Sequence, residues 1–228
     1  MPKPEKLHDI ELGVEKKTSR FNWGATLFYM RYKDQLVLTG KINDVGAYTL
    51  TNIPNSYRMG VELQGKTIIN NWLNLAGTFT ASRNEIQNFT EFYDDYDNGG
   101  QKSMEHGNTN IAFSPDVVSS ASVNFIPVKN LEINLPGKYV SRQYLDNTSN
   151  KNRSLNPFYV QDLLISYTFL KMVFKEINLV LQANNIFGKK YEPNGYTFSY
   201  QYGGSVVTEN YYFPMAGRNF RMAVNVKL

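Results

Sequence analysis

Phe220, Met222, Val224, Val226 and Leu228 alternate with Arg221, Ala223, Asn225 and Lys227 without interruption up to the last residue. Successive side chains of an extended chain point to opposite faces, so this stretch is a β-strand with an oily side and a wet side. The same alternation recurs upstream. Ile10, Leu12 and Val14 oppose Glu11 and Glu15; Trp23, Ala25, Leu27 and Tyr29 oppose Gly24, Thr26 and Phe28; Met59, Val61 and Leu63 oppose Gly60, Glu62 and Gln64. Further segments are centred on Leu75, Val123, Ile133, Ile165 and Leu179, which gives about nine strands in all, each long enough to cross a bilayer at a tilt. Pro136 interrupts the sixth, where its missing N–H predicts a bulge or a local break.

The connections predict which way the strands run. Short turns at Thr18 to Asn22, Lys66 to Asn71, Pro127 to Asn130 and Leu170 to Glu176 alternate with long loops at Lys33 to Asn55, Asn84 to Asp116, Leu145 to Asn156 and Phe187 to Ala216. Short turns on one side and long loops on the other are the periplasmic and extracellular ends of an outer-membrane barrel. The expected fold is therefore all-β: an antiparallel up-and-down transmembrane β-barrel wall of about nine strands. A soluble β-sandwich is the competing fold. It is disfavoured because Glu11, Glu15, Glu62, Gln64, Asn74, Lys138, Asp162, Gln182, Asn184, Arg221 and Lys227 would all share one face, too many charges and amides for a dry core.

Composition narrows the choice further. No apolar run is long enough for a transmembrane helix, and the mean hydropathy of -0.42 does not separate a soluble all-β domain from a membrane barrel, whose strands hide their hydrophobicity by alternation. The net charge of +4 is small and scattered, which gives no support to nucleic-acid binding. There is no Cys, hence no disulfide frame. No apolar signal segment follows Met1-Pro2-Lys3-Pro4, so an exported chain would need sequence upstream. Trp23, Tyr29, Tyr139, Tyr159, Tyr167 and Phe169 fall near strand ends on the apolar face, the place of an interfacial aromatic belt.

Candidate chemistry is sparse. His8 and His106 have no partners in sequence, and no nucleophile elbow or phosphate-binding Gly loop occurs, so neither an enzyme nor a bound cofactor is expected. A hydrolase carried on a barrel would need a Ser and a His converging. Asp94, Asn98, Gly99 and Glu105 have part of a calcium-loop spacing, but Tyr96 stands where an oxygen ligand is wanted, and a solvated acidic loop is the better reading.

The segment Asn184-Asn185-Ile186-Phe187-Gly188-Lys189-Lys190-Tyr191-Glu192-Pro193-Asn194-Gly195-Tyr196, with Tyr212-Phe213-Pro214 and Gly217-Arg218-Asn219-Phe220, resembles the C-terminal signature of TonB-dependent outer-membrane receptors. Arg142-Gln143-Tyr144-Leu145-Asp146-Asn147-Thr148, Ala112-Phe113-Ser114-Pro115 and Met30-Arg31-Tyr32-Lys33-Asp34-Gln35-Leu36-Val37 extend the resemblance, most closely to receptors of the Bacteroidetes type. What it implies is the C-terminal part of a barrel of about 22 strands, spanning residues 1–228, with the N-terminal plug and TonB-contacting segment absent. Whole receptors of this kind take up a scarce nutrient (ferric siderophore, haem, cobalamin or oligosaccharide) by active transport; a passive or adhesive barrel is the alternative. The implied partners are outer-membrane lipid, the plug and remaining strands, the TonB complex through that plug, the barrel-assembly machinery and the nutrient itself. Gly217, Phe220, Met222, Val224, Val226 and Leu228 would form the closing strand and assembly signal, although such barrels commonly finish on Phe rather than Leu. From their placement in loops, Arg142, Gln143, Tyr144, Tyr191, Tyr196, Tyr200, Tyr202, Tyr211 and Tyr212 are the candidate ligand contacts.

Overall fold

The computed structural model describes residues 2–43, 45, 48–170 and 174–228. The chain forms β1 (Lys6–Lys17), β2 (Phe21–Ile42), β3 (Tyr48–Asn70) and β4 (Leu73–Ile86), then the short β5 (Thr90–Asp95), β6 (Gln101–Glu105) and β7 (Thr109–Asn110). It continues through β8 (Val117–Val128), β9 (Leu131–Val140), β10 (Gln143–Tyr144), β11 (Ser154–Leu155) and β12 (Phe158–Gln161). It ends with β13 (Leu163–Leu170), β14 (Glu176–Asn184), β15 (Asn194–Tyr202), β16 (Ser205–Phe213) and β17 (Asn219–Lys227). One antiparallel sheet runs β1-β2-β3-β4-β8-β9-β13-β14-β17, and these are the segments that alternation predicts. The wall is open, with β1 and β17 at its two edges.

Residues directly opposite across a ladder share a face, so the register shows what each face carries. Leu12 pairs Leu27, Leu27 pairs Val61, Leu75 pairs Val123, Phe125 pairs Ile133, Ile165 pairs Leu181 and Leu181 pairs Met222. The apolar positions thus form one continuous surface across the wall. It is uncovered: Leu12 is 72% exposed, Leu27 58%, Leu181 51% and Met222 74%. Among the described residues no second layer packs on it, which removes the sandwich and leaves lipid as the matching medium. Tyr29 stacks on Tyr57 with centroids 6.4 Å apart near one margin, and Trp72 meets Phe125 edge-on at 5.5 Å near the other, as a two-ended belt requires. The opposite face is joined by polar cross-strand contacts. The Thr78 and Ser120 hydroxyls lie 2.8 Å apart, and the Asn178 amide donates to Ser166 and Thr168 at 2.8 and 2.9 Å.

Prolines mark two of the irregularities. Pro136 stays in register with Ser122 on one side, so no bulge forms there. The break appears on the other side, where the path is divided between β12 and β13 at Asp162; its N–H reaches the Pro136 carbonyl at 2.9 Å, but the proline has no donor to return. The register shift in β8 lies instead between Phe125 and Val128, around Pro127.

The long connections are largely not loops. β2 and β3 run through most of Lys33 to Asn55, far longer than a crossing needs, and stand above the membrane as a hairpin. Their ladder skips Asp34 and the facing Pro54. With no N–H opposite it, Asp34 adopts φ 57° and its carbonyl accepts from the Asn52 amide at 2.6 Å. Exposure inverts across this point: Leu27, Tyr29, Arg31 and Lys33 are exposed below it, whereas Val37 and Thr39 are buried above it. The short turn Leu170 to Glu176 lies partly outside the described residues. Asn84 to Asp116 holds the β5–β6 hairpin and Phe187 to Ala216 holds β15–β16; together they form a sheet ordered β16-β15-β5-β6. The apolar core sits here, at the extracellular end, in Val37, Ile53, Ile86, Phe89 and Ile111.

Candidate ligand-binding site

The extracellular elements are held to the β2–β3 tip by close backbone approach and by short polar side chains. Gly40 has φ 82°, and a Cβ there would lie 2.0 Å from the Phe92 carbonyl oxygen, so only glycine lets β5 reach β2. Asn147 accepts the Ala112 N–H at 2.8 Å and donates to the Leu38 carbonyl at 3.0 Å; Ser149 Oγ accepts the Asn110 N–H at 2.7 Å. These bonds fasten the 145–152 segment across two other connections. Asn, Asp, Ser and Thr suit such work because their side chains reach nearby backbone groups.

Beneath that segment lies Arg153, buried, whose Nη1 donates to Glu91 and, at 2.9 Å, to Asp146. Burial opposes its charge, yet the hydrogen bonds and charges of Glu91 and Asp146 outweigh burial and raise its pKa. Glu91 also faces His106 Nε2 at 3.1 Å, and Arg153 Nε is buried without a partner among the described residues. Arg153 stands between two cavities. The first, of about 420 Å³, has apolar walls from Val37, Leu50, Phe89, Phe92, Ile111 and Leu145 and a polar end at Asp146, Asn147, Thr148 and Arg153. The second, of about 460 Å³, extends toward Tyr93, His106 and Thr208. Apolar walls with a few convergent polar groups are the form of a small-molecule site.

The predicted contacts divide among separate places. Arg142 donates to Ser154 Oγ at 2.7 Å, and Gln143 and Tyr144 pair with Leu155 and Ser154; the first cavity begins one residue later, at Leu145. Tyr191 stacks on Phe158 at 4.3 Å. Tyr196, Tyr200, Tyr202 and Tyr211 share one face of the β15–β16 hairpin, while Tyr212, opposite Gly195, is on the other. Tyr196 and Tyr211 stack at 4.9 Å, and the Tyr200 and Tyr211 hydroxyls both donate to Glu209. That sharing holds the Glu209 carboxyl below its usual range, Tyr211 ahead of Tyr200, and raises both phenols. The cavity takes Thr197, Phe198 and Ser199 from this hairpin instead. The placement argument misses Glu91, Asp146, Asn147 and Arg153. Asp146-Asn147-Thr148 has a legible signal in its run of backbone-bonding side chains; Arg153 has none.

The calcium-like spacing is a hairpin turn. Asp95, not Asp94, organises it by accepting the Asp97 and Asn98 N–H groups at 3.1 and 3.2 Å and Lys102 Nζ at 3.0 Å, while Asp94 takes the Gln101 amide. Glu105 pairs with Thr90 at the far end of β6. Asp97 clasps the neighbouring hairpin through the Gly203 and Gly204 N–H groups at 2.8 and 2.9 Å. Hydrogen bonds from the Asn98 side chain and then Lys102 lower the Asp95 pKa; those from Gly204 and then Gly203 lower that of Asp97. Among the described residues no three His, Cys, Asp or Glu side chains converge to hold a metal.

On the polar face of the wall, toward the short turns, a concavity of about 410 Å³ is lined by Glu15, Lys17, Gln64, Lys66, Thr78 and Ser120, among others.

The fold is shared with known outer-membrane proteins. The chain is similar to the ferric yersiniabactin uptake receptor FyuA from Yersinia pestis, with 22% identity and a TM-score of 0.66 over 97% of this chain and 29% of that one. The siderophore receptor PiuA from Acinetobacter baumannii is 17% identical, with a TM-score of 0.70 over 97% of this chain and 28% of its own. The copper transporter OprC is 16% identical, with a TM-score of 0.68, covering 98% and 32% respectively. The chain therefore spans less than a third of these structures' length. No curated protein matches it. A family model described as TonB dependent receptor-like, beta-barrel matches residues 2–186, and with the wall geometry it establishes that the chain belongs to this family of outer-membrane β-barrels.

Proposed function

We propose that the chain is the C-terminal barrel portion of an outer-membrane receptor that takes up a scarce nutrient by TonB-driven transport, with a ferric siderophore as the favoured cargo. The observation that carries this reading is the cavity beside Arg153, built by the extracellular hairpins directly above a lipid-facing wall. The described uses of FyuA and PiuA favour an iron chelate. The charged concavity on the inner face suits a plug, since a protein element inside the lumen would cover the Glu15–Lys17 ion pair and could partner Lys66. The plug and TonB-contacting segment would come from sequence upstream, and the barrel-assembly machinery would read the β17 strand.

The test is uptake by the full-length receptor containing this chain in a strain without competing receptors, supplied with labelled ferric siderophores. Uptake should stop when the proton gradient is collapsed. Uptake indifferent to the gradient would favour a passive pore, and no uptake of any iron chelate would remove the siderophore assignment. Residues 1–228 alone, in liposomes, should transport nothing.

A further inference from the structure

The ionisable side chains lining the first cavity are Glu91, Asp146 and Arg153, and the rest of its lining is uncharged. Two acids meet one base there, which leaves an excess of negative charge. Both acids also hold that base, so Arg153 has no charge left over for an incoming anion. Asp146 Oδ1 accepts the Thr148 N–H and hydroxyl as well, at 3.0 and 2.6 Å, and its side chain is thereby anchored at the polar end of the cavity. Three further cations of the extracellular body are placed elsewhere: Lys102 is bound to Asp95 at 3.0 Å, Lys41 lies over the Phe92 ring at 5.6 Å, and Arg142 donates to Ser154. None of the three lines the cavity. An anion leaving water for such a space loses hydration with no cation to offset the loss.

We infer that this cavity selects its cargo by charge, admitting uncharged and cationic ferric chelates with an apolar surface and excluding anionic ones. The inference rests on the uptake reading above and narrows its cargo. Three singly charged hydroxamates cancel the charge of ferric iron, while three doubly charged catecholates leave a trianion. The apolar walls suit the first kind of chelate, and the surplus carboxylate repels the second.

Calorimetry on the full-length receptor in detergent at low salt tests this with four probes. Three are ferric trihydroxamates of one scaffold, ending in an ammonium, an amide or a carboxylate; the fourth is a ferric tris-catecholate. A common scaffold holds shape constant, so the end group isolates charge. At an effective dielectric of about 20, one surplus charge about 10 Å away changes the binding of a unit charge roughly tenfold. The ammonium and amide forms should bind, the carboxylate form should bind roughly tenfold more weakly than the amide, and the tris-catecholate should not compete. Leu50 lines the cavity and is exposed, so Leu50→Lys supplies a cation there and should close most of that gap, while Leu50→Gln should keep it. His106→Gln should keep it too, because His106 faces Glu91 from the second cavity. Heat-modifiable migration reports the folded barrel in each variant. Equal binding of the amide and carboxylate forms, or tightest binding of the tris-catecholate, would overturn charge selection and leave siderophore uptake standing. A gap unchanged by Leu50→Lys would equally overturn the cavity's part in it. Binding of none of the four would remove the siderophore reading and this inference together.

Discussion

The wall and the extracellular body follow opposite rules within one chain. In the wall the large apolar side chains are the exposed ones, with Leu12, Phe220 and Met222 each more than 70% accessible, while order comes from the backbone ladder and cross-strand polar contacts. In the body the arrangement is that of a water-soluble protein: Ile86 and Phe89 are buried, and charged groups are matched inside, as Arg153 is with Glu91 and Asp146. Exposure of an apolar residue is therefore a cost only relative to the medium it meets. The same residue types have opposite consequences on either side of the membrane surface.

Substitution should separate the two regions. The largest effect is expected for Arg153→Ala, which leaves the buried Glu91 with only His106 beside it and the half-buried Asp146 without its cation, at a cost of roughly 3–5 kcal/mol. Hydrogen exchange should rise across the extracellular hairpins while the wall stays protected; loss of the whole barrel would show that the regions are not separable. Leu27→Arg should destabilise the wall by about 2–4 kcal/mol in denaturant titrations from lipid vesicles, whereas Thr26→Arg, on the polar face, should cost much less. Equal costs would contradict a lipid-facing surface at Leu27. Gly40→Ala should cost about 1–3 kcal/mol, confined to the contact of the β2 tip with β5 and visible as faster proteolysis there. The mildest perturbation is acid. Asp95 and Asp97 have folded pKa values below the 3.8 of a free Asp, so their contribution is complete above that value and fades as pH falls through the depressed ones. Exchange of the Gly203 and Gly204 amides should accelerate over that acidic window and remain slow at neutral pH.

The wall was legible because lipid imposes a strict period of two, which survives in residue order from Ile10 to Leu228. The body obeys no single medium, and alternation loses its meaning there. Lys33 to Asn55 reads as a loop because Asp34 inverts which parity is buried, so the pattern appears to stop where the strands continue. The tyrosines of β15 and β16 are conspicuous in sequence, yet they stack on one another along a hairpin face. Arg153, whose carboxylate partner Glu91 is distant in sequence, lies in a stretch with no periodicity to mark it. Long-range partners of this kind have no local signature.

Asp34 and Pro54 also make a natural joint. Because the facing proline and the left-handed aspartate switch which side of the hairpin is oily, the distal half can be exchanged, lengthened or shortened without altering the parity of the half below. The tip can therefore change above this rung while the embedded segment keeps its greasy exterior, and grafting another hairpin at Asp34 and Pro54 should preserve insertion.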